Sequence, residues 1–404
     1  MVQYYPMWTD IHVMVFVGFG FLMVFLKTHC WSSIGFNFLI AAWAIQCTIL
    51  FFGFWEHVIK YQHLEKININ MRMLIQGDFG AASILISMGA LLGKVSFVQL
   101  FTLVTIETIF YTLNAIVTVD LMGAADIGGA IVIHMFGAYF GLTATYFFQP
   151  KKALEDKLQQ CKGSYLSELI SMVGTLFLFI YWPSFNGALA VGMSQKRSVV
   201  NTLLSITGSV LTSVYVSRAI LGKIDMEVLL NSTLAGGVMM GAACDMITGP
   251  GFAMLAGSIA GAVSAIGFLK LNKIFQDKLG LHDTCGVQFL HGFPGLLGGF
   301  TSVICCAASE YNLGGVAARA IVFAKVDKFS PAKQANINLA AMAITMGIAI
   351  SSGFVAGFIA SRLPHPKILF DDNPNFNHVE FGDDTDVYNI AHQHVQEVEL
   401  KSSS

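Results

Sequence analysis

Charged residues are scarce in this chain: Asp, Glu, Lys and Arg make up only 12% of its 404 positions, about half the roughly 25% of an ordinary soluble domain. Proline is rare too, with 9 residues, so the commonest interruption of long helices is largely missing. The 7 cysteines are odd in number and show no paired zinc-type spacing. They exclude a disulfide framework and read as small apolar packing residues. A net charge of −2 says nothing useful about partners, and no nucleic-acid partner is expected. The opening MVQYYPMWTD lacks a basic stretch and a small-residue cleavage pattern, so the first apolar run is expected to remain as a helix and not to be removed as a signal peptide.

What is abundant is apolar: 55% of residues are hydrophobic and mean hydropathy is +0.65. Runs long enough to cross a hydrocarbon core of about 30 Å need roughly 18 or more such residues. Eleven are found, near 11–27, 34–54, 73–93, 97–122, 127–148, 167–192, 199–220, 228–247, 250–271, 284–308 and 337–361. The chain is therefore predicted to be an all-α polytopic membrane protein embedded in a lipid bilayer. An odd number of spans puts the termini on opposite sides. Most of the 23 Lys and Arg fall in loops that are cytoplasmic if the N-terminus is outside, which predicts N-out and C-in.

Two segments, DIGGAIVIHMFGAYFGL (126–142) and DTCGVQFLHGFPGLLGG (283–299), share one arrangement: Asp, Gly three positions on, His at eight, Phe at ten and Gly at fifteen. A second match occurs at nearly the same offset, Val17-Gly18-x-x-Phe21-Leu22 against Val173-Gly174-x-x-Phe177-Leu178. Two matches in register predict a duplicated unit of five spans. Because five is odd, the second copy enters from the opposite face, the inverted-repeat design of many transporters, with one extra helix outside it. If Asp126 and Asp283 are helix N-caps, eight residues at 1.5 Å rise put His134 and His291 about 12 Å deep from opposite faces. Their levels then differ by only some 6 Å in a core of about 30 Å.

An ionisable residue inside a membrane marks a functional site by default. Two adjacent imidazoles can share one proton in complementary tautomers, and double protonation is opposed by repulsion and desolvation. Such a neutral, hydrogen-bonding spot suits a small polar molecule. Burying a bare ammonium-like charge costs on the order of tens of kcal/mol, whereas removing a proton with pKa roughly two units above neutral costs about 3 kcal/mol. A metal site is disfavoured because no third ligand lies one or two turns from either ring. His12, near the start of the first span, is expected at the membrane interface. The sequon Asn231-Ser232-Thr233 opens a span on the inner side and is expected to be unused.

The segments DIHVMVFVGFGFLM (10–23), GFNFLIAA (35–42), HMFGAYFGLT (134–143), YWPSFN (181–186), STLAGGV (232–238) and DTCGVQFLHGFPG (283–295) resemble the Rh glycoproteins of the ammonium transporter/Rh superfamily. The likeness runs through roughly residues 4–361. It implies a plasma-membrane homotrimer of eleven-helix barrels, each with its own narrow pore for ammonia and, in some members, carbon dioxide, without enzyme chemistry or cofactor. It assigns His134 and His291 to the twin pore histidines, and Phe79 and Phe185 to a stacked extracellular gate. Asp126 becomes the buried carboxylate below the outer vestibule and Asp283 its mate near the cytoplasmic one. Leu178 and Val287 are assigned to the hydrophobic lumen, with Trp182 one turn below Phe185. Bacterial and plant members form a high-affinity cation site from a Trp before the fifth span and a Ser four residues after the inner gate Phe. Here no Trp lies between 101 and 133, and the second position is Leu189. A weak outer site and bidirectional, gradient-driven conduction are implied. Animal Rh glycoproteins often carry a leading helix and a glycosylated outer loop that this sequence does not match. Alternatives are a carbon dioxide channel and a non-transporting structural subunit of an Rh complex.

Residues 1–361 are thus expected to form the channel and 362–404 an acidic cytoplasmic tail. Residues 371–399 hold eight acidic side chains and no useful apolar stripe, the composition of a mostly disordered segment. His392 and His394 there read as an incidental solvated pair. Small residues at four-residue spacing, Ala253, Gly257 and Gly261 with Gly237 and Gly241, predict close helix packing. The connection 309–336 is expected to fold over the outer surface or to touch a neighbouring subunit.

Overall fold

A computed structural model describes residues 4–149, 163–366 and 368–377. Lys151, Lys152, Lys157, Cys161, Lys162 and the tail from 378 onward, with His392 and His394, lie outside the described residues. Helices account for nearly all of the described fold, and its only extended pairing is an isolated bridge, Leu26 to Gly163.

Among the described residues, ten helices are long and apolar enough to cross a membrane: α1 Tyr5–Phe25, α2 Cys30–Tyr61, α3 Met71–Leu91, α4 Phe97–Leu121, α5 Ala130–Phe148, α6 Tyr165–Gly187, α7 Gly192–Leu221, α9 Pro250–Leu279, α10 Gln288–Ala307 and α11 Pro331–Ala360. The eighth, α8 Met226–Met240, is apolar but shorter. The predicted span 228–247 therefore ends early. At Gly241 the backbone turns and its carbonyl accepts from Gly128 N at 2.8 Å, a closeness that a side chain there would block.

Local chemistry sets the helix starts. Asn70 accepts from Met73 N to open α3, Ser96 and Gln99 form a reciprocal capping box at α4, Ser164 and Ser167 do so at α6, and Ser330 followed by Pro331 opens α11. Each satisfies backbone donors that have no partner within the helix.

Reciprocal contacts relate the two halves. A Cβ on Gly18 would lie 2.7 Å from Leu178, and one on Gly174 would lie 2.1 Å from the Leu22 backbone; the sequence offset pairs 18 with 174 and 22 with 178. The loop before α5 donates from Gly128 N to Gly241 O in the second half, and the loop before α10 donates from Cys285 N to Gly89 O in the first. The glycine contacts are reciprocal, residue i to j and j to i, as a two-fold relation requires, and the two backbone bonds join the corresponding loops to the opposite halves. They place α1–α5 and α6–α10 as inverted copies, with α11 outside them, packed on α5 and α10.

Residues 368–377 do not leave the helical body. Phe370 is 1% exposed and Asp372 2%. Phe370 N donates to Gly93 O, and Asp372 accepts from Trp31 N and Ser32 N at the start of α2. The ordered body therefore extends past 361, where the sequence places the start of the tail. The connection 309–336 folds back across the bundle, with Lys325 Nζ donating to Leu121 O at the end of α4.

Candidate functional site

Two helices deliver the histidines, and each starts in the same unusual way. The residue before α5 is Gly129 at φ 74°, and the equivalent Gly286 stands at φ 64°. Glycine reaches this left-handed region without the Cβ penalty of other residues. Asp126 then folds back over the turn: its carboxylate accepts from Ile131 N at 3.0 Å and Val132 N at 2.8 Å. Asp283 accepts from Gln288 N at 2.9 Å. Both carboxylates thus sit at helix N-termini, where the dipole favours negative charge.

The aspartates are not, however, the N-cap residues that the eight-residue spacing suggests. Helix begins only at Ala130 and Gln288, and its first turn is π-helical in both copies, 130–135 and 288–292. The imidazoles therefore lie about one turn above their helix starts, not two. Wide turns of this kind occur mostly at functional sites.

The two rings meet. His134 Nδ1 lies 3.1 Å from His291 Nδ1, and the ring planes differ by only 5°. Two facing Nδ1 atoms at that distance require one to donate and the other to accept, so the neutral rings adopt complementary tautomers. Both are buried, at 1% and 4% exposure. Among the described residues His134 Nε2 has no hydrogen-bond partner, nor does Trp182 Nε1.

A line of rings runs through this pair. Phe79 and Phe185 lie with centroids 4.7 Å apart. Phe185 is 5.8 Å from His134, Trp182 lies nearly parallel to His134 at 5.7 Å, and Phe19 faces His291 at 6.4 Å. Beyond His291 is a narrow apolar cavity of about 20 Å³, walled in part by Leu22, Leu85, Val287 and Leu290. That is little more than the space of one small molecule. A wider cavity of about 460 Å³ follows, lined by Glu168, Asp225, Glu227, Asn231 and Asp283 among others. Leu178 is 1% exposed and packs on Gly18, and its repeat mate Leu22 is the one that walls the narrow cavity.

Residues 1–368 match the Ammonium Transporter Family. The chain belongs to this family, on its Rh branch. It is 39% identical over 379 residues to the ammonium transporter Rh type B of Takifugu rubripes, covering 91% of this chain and 81% of that protein. Against the ammonium transporter Rh type C of Rattus norvegicus it is 40% identical over 376 residues, 91% of this chain and 74% of that one. Among solved structures it resembles Nitrosomonas europaea Rh50, described with the mechanism of conduction by the Rhesus protein family of channels, with TM-score 0.78, 29% identity and coverage of 100% and 98%. A sensor Amt protein shares the fold at TM-score 0.71 and 17% identity, covering 94% of this chain and 98% of that one. As a family of channels and transporters, these relatives make this Rh-type chain a membrane transport protein and not an enzyme.

Several residues at the Rh-type site escape a reading of the sequence. Asn338 on α11 pairs its amide with the Ala125 backbone, accepting from N at 3.0 Å and donating to O at 2.8 Å, and so fixes the loop that carries Asp126. Ser83 donates to Ile133 O, while Ser87 lies 2.7 Å from Gly137 O and 2.5 Å from the Glu107 carboxyl. These serines of α3 thus hold α5 both within its π turn, at Ile133, and just beyond it, at Gly137. Glu107 has one sequence signal, a lone carboxyl in an apolar span.

Proposed function

We propose that this Rh-type chain conducts ammonia as the neutral base, recruiting ammonium at an outer vestibule and passing NH₃ across His134 and His291. In this reading Phe79 and Phe185 are the two leaves of an extracellular gate, and Val287 and Leu178 belong to the hydrophobic lumen. Trp182 supports His134 from the side. Asp126 organises the outer helix start and Asp283 the cytoplasmic one. The protein works as a homotrimer in the plasma membrane, with a pore in each protomer, its N-terminus outside and its C-terminus in the cytoplasm.

The observation that carries this reading is the imidazole pair, 3.1 Å between facing Nδ1 atoms, set between an aromatic pair and an apolar constriction. A guest that both donates and accepts hydrogen bonds would match the unpartnered His134 Nε2. A bare cation would forfeit its hydration there, at a cost on the order of tens of kcal/mol. Giving up one proton at the mouth costs roughly 3 kcal/mol by comparison. Deprotonation followed by diffusion is the lower route.

The test is the internal pH of proteoliposomes after a jump in external ammonium, and separately in carbon dioxide. Alkalinisation faster than in protein-free vesicles, lost or changed at least about tenfold in His134→Ala/His291→Ala, supports the reading, a tenfold change being about 1.4 kcal/mol of barrier. Unchanged flux in a folded double variant would reject it. Acceleration by carbon dioxide alone would favour a gas channel, and no acceleration by either would favour a structural subunit.

A further inference from the structure

One turn of α1 reaches two other helices. Asp10 Oδ2 accepts from Ser184 Oγ on α6 at 2.6 Å, and two residues later His12 Nδ1 lies 2.9 Å from Asp78 Oδ1 on α3. Ser184 immediately precedes Phe185, and Asp78 immediately precedes Phe79. The two contacts of a single helical turn thus fall beside the two members of the aromatic pair. Pro183, inside α6, adds to this. Without an N–H it cannot close the helical bond to Phe179, which leaves the following turn more dependent on outside support.

Packing alone does not explain these polar ties. Asp78 is 0% exposed, and its carboxyl is held from α1, by His12 at Oδ1 and with the Trp8 side chain of the same helix beside it. The His12 ring is flanked by Trp8 and Phe16 of its own helix at 5.1 and 4.7 Å. Phe16 in turn meets Phe38 of α2. Asp78 is the charged group facing the ring from α3, and the Ser184 hydroxyl of α6 is engaged with Asp10. A carboxyl buried with an ionisable partner adds little stability over apolar residues of the same volume, and the best-attested reason to keep one is to fix a register; here Asp78 is the buried member and His12 reaches it from a partly exposed position. The register available here is that of α3 against α6, with α1 as the brace.

We propose that Asp10 and His12 are positioning residues that set the separation of Phe79 and Phe185, and through it the size limit of the passing base. The inference rests on reading that pair as the gate. Its test compares proteoliposome fluxes of ammonia and the bulkier methylamine. A brace that sets size changes their ratio, while a merely structural role lowers both together.

Asp10→Ala and His12→Ala should raise the methylamine-to-ammonia ratio roughly two- to tenfold, the range one hydrogen bond commands. Ser184→Ala should match Asp10→Ala, and the double variant Asp10→Ala/Ser184→Ala should add nothing, as expected of partners in one contact. Asp10→Asn and His12→Gln, which still accept and donate, should restore the wild-type ratio. Phe79→Ala serves as the reference for an opened gate. An unchanged ratio in the brace variants while Phe79→Ala raises it overturns the proposal and leaves the gate standing, and so does a proportional loss of both fluxes. If Phe79→Ala leaves the ratio unchanged, the gate reading fails first and the brace with it. Should an α1 variant fail to assemble, Ser184→Ala cuts the same contact from α6.

Discussion

At the scale of single residues the site is governed by which buried polar atoms have partners. His134 and His291 satisfy each other through Nδ1, so removing one strands the other. Replacing His134 by Leu should cost about 1–3 kcal/mol, the penalty of an unpaired buried group. Replacing both by Leu removes the orphan as well, and the double variant should be less destabilised than the sum of the two single ones. Thermal unfolding in detergent of the three variants checks this, and strict additivity would speak against a shared hydrogen bond. His12 carries a related lesson. Expected at the interface, it is half-exposed, with 40% of its side chain accessible, yet its Nδ1 points inward to a fully buried carboxyl. Nothing local to DIHVM reveals that partner, which lies 66 residues away.

At the scale of elements the decisive features are the two helix starts. Gly129 and Gly286 occupy equivalent left-handed positions, and a Cβ would lie 2.2 Å from Ile133 in the first and 2.1 Å from Phe268 in the second. Gly129→Ala and Gly286→Ala should each destabilise by about 1–2 kcal/mol from backbone strain alone, with more from the clash, read as a lowered melting temperature. The caps differ in strength. Asp126 accepts from two backbone N–H groups, Asp283 from one. Asp126→Ala should therefore cost more than Asp283→Ala, within the roughly 0.5–2 kcal/mol of a lost cap. Equal losses would mean that the hydrogen bonds are not what the carboxylates contribute.

These starts also mark how far the sequence could be read. The D-x-x-G-x4-H spacing is visible twice because each residue type has its own physical reason: a carboxylate to cap, a glycine to turn, a histidine to pair. What the spacing hides is backbone geometry. A carboxylate that caps across a turn, and a π turn that widens the first coil, leave the same letters as an ordinary N-cap eight residues below a histidine. The clamp by Asn338 was beyond reach for a different reason. An Asn in an apolar helix has many uses, and its partner Ala125 lies 213 residues away and contributes only backbone atoms.

At the scale of the whole molecule, inversion of a five-helix unit brings two distant segments to one midplane, and the same symmetry recurs in the glycine contacts of α1 with α6. Hydropathy could find ten of the eleven helices at membrane-crossing length because ten are continuous, and it overran α8, whose apolar composition continues past Gly241 into a turn. It also ended the ordered body too soon. Phe370 is buried against Gly93 and accepts from Thr28 through its carbonyl, but it closes an apolar run of only three residues, Ile368-Leu369-Phe370, too short for a periodicity to announce it. Phe370→Ala should cost about 3–5 kcal/mol, as for other buried phenylalanines, and a melting temperature equal to wild type would show that this strap bears no weight in solution.

The central claim is that a neutral base crosses a dry lumen at the paired imidazoles while its conjugate acid does not. Simultaneous recording of internal pH and membrane current in proteoliposomes under an imposed ammonium gradient tests it most directly. The account predicts rapid internal alkalinisation without a matching current. A steady inward current equal to the ammonia flux would contradict it.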